Sequence, residues 1–365
     1  YTKKTSYTVE DLEYGKEYKF RIVSYLLVNK KKVFSSFSKW VSAKPKLDAP
    51  GAPSSLTFEY TKKGMKLTWS SVKKADGYLV YSYNYSKKKF ERLAVTSETT
   101  WLHSGEGKSG KYKYKIIAYR ESGKKRVKSK DNITKIVYGQ KEQKAIASIH
   151  PILYSATIKQ TTNLYSSITG SKKVGTIKSG TKVTVSFRVV HGRDRIILSD
   201  GKEYWVKPSA VRCTSDHYTS KDYTTEQKEA FINSKGYGSS SKYMLWVSTY
   251  TQRLNIFTGS AGNWTLYKSV PCATGKLATF TPHGFGRLKK HQRTYYSESG
   301  TSYFEWLTYI TGGNAFHSRI KKISNGSFRS RTLGKPMSGG CVRVYDDIAR
   351  FIYYDIPLGT ATYIY

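Results

Sequence analysis

The chain has 365 residues, and its 63 Lys and Arg against 25 Asp and Glu give a formal charge of +38 at pH 7. Hydrophobic residues at 38% and aromatics at 15% supply enough apolar surface to fold, which excludes wholesale disorder in spite of the charge. No run approaches the roughly 18 uncharged apolar residues of a bilayer-spanning helix, and the length calls for about two to four domains rather than one core.

The first elements read as β. Tyr18 to Tyr25 and Tyr112 to Tyr119 match at a constant offset of 94 residues, each alternating apolar and polar positions beside Lys-Gly turn signals. A period of that size is one sandwich domain. The pattern over residues 48–138, with Trp69 as a core tryptophan, resembles a fibronectin type III domain, and residues 1–46 resemble the second half of one. Tyr1 is therefore expected to lie inside a domain, with any signal or anchor outside these residues. Pro45, Pro50, Gly51 and Pro53 mark a linker. From 145 to 213, five short strands between polar turns predict a small barrel. Its closing Gly201-Lys-Glu-Tyr-Trp-Val-Lys207 resembles a bacterial Src-homology-3-like module. Residues 214–241 read as a linker with one short helical pattern at Gln227 to Asn233.

The charge is diffuse: +11 of it lies from Lys242 onward and +27 before it. A dedicated nucleic-acid reader concentrates charge in a stripe with stacking platforms, so no specific nucleic acid is expected. An anionic polymer surrounding the whole molecule fits the distribution better.

No phosphate loop, zinc-protease helix or paired-cysteine metal motif occurs. Three cysteines cannot build a disulfide framework. Cys213 and Cys272 sit in strand-like contexts as small core residues, whereas Cys341 lies in Pro336-Met-Ser-Gly-Gly-Cys-Val-Arg343, where two glycines allow a sharp turn with amides free to face an oxyanion. Glycine beside cysteine is also an ordinary tight turn, and Arg343 either favours a thiolate or is a surface charge. Asp346 and Asp347 are expected to cap a helix with Ile348, Phe351 and Ile352 on one face.

Residues 242–365 resemble the L,D-transpeptidases of the YkuD family. The matching residues are His317-Ser318, Ser338-Gly339-Gly340-Cys341 and Arg343, with Gln252-Arg-Leu-Asn-Ile-Phe257, Thr274-Gly275, Thr281-Pro-His-Gly284 and the ending Ile356 to Tyr365 in support. Two features depart from the pattern: Gly339 stands where the family has histidine, and 20 residues separate His317 from Ser338. The resemblance implies a predominantly β, multidomain protein: β-sandwiches, a small β-barrel, and a C-terminal mixed β-sandwich catalytic domain at 242–365. It implies Cys341 as nucleophile, His317 as base oriented by the Ser318 carbonyl, and oxyanion donors at Gly339, Gly340 and Cys341. Ser338 and Arg343 would contact substrate. No cofactor or metal is implied. The partners would be peptidoglycan stem peptides and anionic wall polymer, at an extracellular or wall location, with 3-3 cross-links as product. L,D-carboxypeptidase action and a non-catalytic wall-binding protein are the alternatives. The segments Arg319–Met337 and Thr281–Tyr303, polar and basic, are expected as loops flanking the cleft, and residues 1–213 as contributing binding and reach but no chemistry.

Overall fold

The computed structural model describes residues 1–189 and 191–365. The chain divides into two compact units, Tyr1–Lys141 and Glu142–Tyr365, and strands dominate both.

In the first unit a three-stranded sheet (Leu56–Thr61, Gly64–Trp69, Thr100–Ser104) and a five-stranded sheet built on Gly77–Asn84 and Lys111–Ser122 share one core. Strand alternation decides what enters it: Leu67 and Trp69 from one sheet, and Tyr114, Ile116 and Ala118 from the other. Trp69 meets Tyr78 edge-on, ring centroids 5.5 Å apart. Residues 1–46 contribute only two-stranded pairs, Tyr18–Phe20 with Val41–Ala43 and Tyr25–Val28 with Lys31–Phe34. Ile22, Leu26 and Trp40 are consequently 77%, 73% and 58% exposed.

The second unit begins with a seven-stranded antiparallel sheet that curls into a half-barrel around Tyr154, Val185, Ile196 and Val206. Two of its strands, Leu153–Ile158 and Val211–His217, extend the five legible in sequence. They were obscured because Ser155 and Thr157 on the one, and Arg212, Thr214, Ser215 and His217 on the other, break up the apolar pattern.

A nine-stranded mixed sheet follows. Its strands are β1 (Tyr243–Ser248), β2 (Arg253–Ser260), β3 (Asn263–Pro271), β4 (Gly284–Tyr296), β5 (Ser302–Ile310), β6 (Ala315–His317), β7 (Lys321–Lys322), β8 (Val342–Arg343) and β9 (Ala361–Ile364). The spatial order is β3-β2-β1-β9-β4-β5-β6-β8, with β7 beside β5. The β1–β9 and β6–β8 pairs are parallel. Both faces of β1 are covered, so it reads as an unbroken apolar run. Leu245 and Val247 point into a core shared with Ile348 and Ile352 of helix α2 (Asp346–Asp355), while Met244 and Trp246 face Phe231 and Ile232 of helix α1 (Thr225–Ser234).

One expectation is extended and two are revised. The helical pattern at Gln227 to Asn233 within 214–241 is part of α1, whose Thr224 and Gln227 form a reciprocal capping box and whose Phe231 is buried at 2% exposure. Thr281–Tyr303 is mostly strand β4, hydrogen-bonded to β5 and β9, rather than a loop; Arg287, Lys289, Lys290 and Arg293 had masked its alternation. Helix α2 buries Ile348 and Ile352 as expected, with Ala349 buried beside them and Phe351 only partly buried against the same core, but its N-cap is Tyr345 without a side-chain cap. The Asp346 carboxylate instead accepts from Arg319 Nε at 3.1 Å and pairs with Lys321 Nζ at 3.1 Å.

Candidate active site

The register of β6 against β8 brings the two family residues together. Phe316 lies opposite Val342 and His317 opposite Arg343. Phe316 and Val342 are both fully buried in the core shared with α2, so the alternate positions His317, Cys341 and Arg343 project from the opposite face. Cys341 precedes Arg343 by two residues, which puts its Cα about 8 Å from that of His317, from a strand spacing of about 4.8 Å and a rise of about 3.3 Å per residue.

His317 is 3% exposed. Its Nδ1 lies 2.7 Å from the Ser318 carbonyl, which can only accept, so Nδ1 carries the proton and Nε2 is the lone pair. Ser318 is held in turn: its N–H donates to Glu305 O at 3.0 Å, and its Oγ accepts from Glu305 N–H at 2.9 Å. The Phe304 ring lies 4.1 Å from the imidazole, centroid to centroid. Burial pushes the His317 pKa down to about 3; the Ser318 carbonyl opposes this and the Arg343 charge adds to it. The ring is therefore neutral at physiological pH. Burial raises the Cys341 thiol above its ordinary range, while the Ala315 backbone N–H and the Arg343 cation draw it down again. The resting pair is neutral thiol and neutral imidazole.

Arg343 is half-buried, and its Nε is buried without a hydrogen-bond partner among the described residues. Burial lowers its pKa and the neighbouring Cys341 raises it. An unsatisfied guanidinium donor beside the thiol is suited to an incoming carboxylate or carbonyl.

The turn before Cys341 is tied on both sides of Gly339. Ser338 N–H donates to Thr274 O at 2.9 Å, and Ser338 Oγ donates to Cys341 O at 2.5 Å while accepting from Gly340 N–H at 3.0 Å. Ser338 is 1% exposed, so it braces the turn instead of facing solvent. The Gly340 amide is engaged there, which leaves the N–H groups of Gly339 and Cys341 without internal acceptors among the described residues. Gly340 has φ of 118°, a region that L side chains rarely adopt, and a Cβ at that position would lie 2.9 Å from Asn314 Nδ2.

Sequence reading had assigned no roles to Thr279, Thr281 and Gln252. Thr279 Oγ1 donates to Ser338 O at 2.9 Å, and Thr281 Oγ1 to Gly340 O at 2.8 Å. Gln252, fully buried with φ of 52°, clamps Thr274 through both amide atoms, at 2.7 and 2.9 Å. The fragments Gln252-Arg, Thr274-Gly275 and Thr281-Pro carried the signal as matches to the family pattern without revealing that they converge behind the cysteine turn. Cys272 is fully buried in the core and burial holds its thiol far above the ordinary range; Cys213 is partly buried against the half-barrel core and is likewise raised. Among the described residues no three His, Cys, Asp or Glu gather as metal ligands, and no helix is long and apolar enough to cross a membrane.

Several solved structures are similar to this chain. A fused Zn-dependent amidase/peptidase/peptidoglycan-binding domain protein from Clostridium acetobutylicum shares 28% identity over 38% of this chain and 58% of its own, with a TM-score of 0.33. An L,D-transpeptidase from Stackebrandtia nassauensis shares 14% over 39% and 66%, with a TM-score of 0.28. L,D-transpeptidase 1 of Mycobacterium tuberculosis shares 16% over 34% and 61%, with a TM-score of 0.26. The chain thus spans less than two thirds of the length of each. No curated protein matches the sequence. The YkuD family profile, the L,D-transpeptidase catalytic domain, matches residues 242–364.

Proposed function

We propose that residues 242–365 form a peptidoglycan L,D-transpeptidase acting through a cysteine thioester. The observation that carries this reading is the β6–β8 register, which sets His317, with Nε2 unprotonated, on the same face as Cys341. Cys341 Sγ attacks the carbonyl of the L,D-bond before the terminal D-alanine of a tetrapeptide stem as His317 Nε2 takes the thiol proton. The C–N bond then breaks, the proton passes from His317 to the departing amine, and a thioester remains. The side-chain amine of an acceptor stem resolves it into a 3-3 cross-link. The Gly339 and Cys341 amides supply the oxyanion donors, and Arg343 meets the stem's carboxylate. No cofactor enters the scheme. The preceding β modules act as spacers and wall-binding elements at the cell exterior, where a charge of +38 meets anionic wall polymer.

The test is mass spectrometry of purified tetrapeptide muropeptides incubated with the full chain. A cross-linked dimer with free D-alanine is expected. Tripeptide monomer alone would assign L,D-carboxypeptidase action, with water in place of the amine. A folded protein yielding neither product nor a Cys341 adduct would favour the wall-binding alternative.

A further inference from the structure

The half-barrel grips the segment that supports the cysteine turn. Arg188, which follows the strand Lys182–Phe187, exchanges two hydrogen bonds with His283: the His283 N–H donates to Arg188 O at 2.9 Å, and the Arg188 N–H donates to His283 Nδ1 at 3.0 Å. The imidazole is 5% exposed, lies 5.1 Å from the Phe187 ring, and has its Nε2 3.2 Å from Thr249 Oγ1. At the other end of the segment the Arg188 guanidinium donates to Leu277 O at 3.1 Å and lies 3.9 Å from the Phe280 ring centroid. Leu277 itself packs against the half-barrel core. Asp194, 2% exposed, lies 3.7 Å from Arg188 Nε and steadies the guanidinium from the half-barrel side. One arginine therefore brackets residues 277–283 at both ends. Between those ends Thr279 and Thr281 reach the Ser338 and Gly340 carbonyls. The Thr279 and Phe280 carbonyls also come within 3.6 Å of where a Gly340 Cβ would stand.

We infer that Arg188 is a positioning residue: through the 277–283 segment, the half-barrel fixes the turn that presents Cys341. This rests on reading Cys341 as the nucleophile. It revises the expectation that residues 1–213 contribute only binding and reach, because the wall behind the nucleophile is completed from outside 242–365. A short loop held only by its own ends samples several backbone geometries, and a displacement of about 1 Å at a reacting group can cost on the order of a hundredfold in rate. Two threonine hydroxyls can hold a turn in register only if their own backbone is fixed, and Arg188 adds to that fixing at both ends of the segment.

The experiment uses the full chain carrying Arg188→Ala, Arg188→Lys or Thr281→Val. Amide hydrogen exchange is followed in peptides spanning Gly334–Arg343, alongside kcat and KM for D-alanine release. Arg188→Ala should speed exchange at Ser338 and Gly340, whose amides are hydrogen-bonded in the turn, about tenfold and lower kcat by a similar factor, with KM moving less than about twofold. Arg188→Lys, able to keep one donor toward Leu277 O, should recover part of both. Thr281→Val breaks the link to Gly340 without touching the half-barrel and should reproduce the loss even if Arg188→Ala fails to fold. Unchanged exchange and kcat in a folded Arg188→Ala protein, or in Thr281→Val, would overturn the inference. If the unaltered protein shows no turnover at all, the proposed reaction fails, while hydrogen exchange still decides whether the bracket holds the turn.

Discussion

His317 Nδ1–H donates a hydrogen bond to the carbonyl of Ser318, its own neighbour in the chain, at 2.7 Å. Orientation of the imidazole thus needs no acidic third residue. The carbonyl fixes the tautomer without adding a charge, and burial keeps the ring neutral. Removing the ring with His317→Ala should lower acylation about a hundredfold or more, the ordinary scale of general-base catalysis, with the β6–β8 pairing intact by circular dichroism.

Cys341 should be the only thiol that forms an acyl adduct. Intact-mass analysis after exposure to a carbapenem should show one addition, absent in Cys341→Ala and retained in Cys213→Ala, whose thiol is partly buried against the half-barrel core. An adduct surviving Cys341→Ala would remove the cysteine from its assigned role.

Acid should destabilise the second unit through its two buried histidines. His317 and His283 both have folded pKa values pushed down to about 3 by burial, against about 6.5 in an unfolded chain. The unfolded state binds more protons between those values, so their contribution is present above about pH 6.5 and is lost as pH falls toward 3. Asp194 opposes this, since burial raises it to about 6 and its contribution is lost as pH rises through that value. Two histidines outweigh one carboxyl. The Tm should therefore fall on going from pH 7 to pH 4, and His283→Gln should flatten the slope. A Tm that rises over that interval would contradict the balance.

The two turn glycines should respond in opposite ways. Gly340→Ala meets both a φ of 118° and Asn314 at 2.9 Å, and should cost about 2 kcal/mol with a marked loss of acylation. Gly339 is exposed, and a Cβ there has open space. Gly339→His, which supplies the family residue, should change stability by no more than about 0.5 kcal/mol and shift KM for the acceptor before kcat. Thermal melts and acceptor titrations separate the two.

Gln252→Ala should be among the most damaging changes far from the thiol. It strands the Thr274 N–H and hydroxyl in a buried site, and Thr274 O is the acceptor for both Met337 and Ser338. A loss of about 2–4 kcal/mol in denaturant unfolding is expected, with acylation slowed in the residual folded protein.

The local chemistry of the site was legible in the sequence and its support was not. Gly-Gly-Cys-Val-Arg and His-Ser are contiguous, so residue order alone exposes them. The Arg188–His283 bracket joins residues 95 apart through the Arg188 backbone and the His283 backbone and imidazole, and no periodicity encodes such a contact. Helix α1 was legible as a short pattern at Gln227 to Asn233, but its burial was not, because Ala230, Phe231 and Ile232 are consecutive rather than spaced by three and four. Strand β4 was hidden by the reverse effect, basic side chains set densely enough along a long strand to imitate a loop.

Strand β9, Ala361–Ile364, lies between β1 and β4 in the middle of the sheet, with Met244 parallel to Ala361 and Gly284 antiparallel to Ile364. Its partners are made more than sixty residues earlier, so during synthesis β1 and β4 stay unjoined until Ala361–Ile364 has been added. The nine-stranded sheet can close only after that stretch is made, and removing Ala361–Ile364 would split it down its centre instead of trimming its edge.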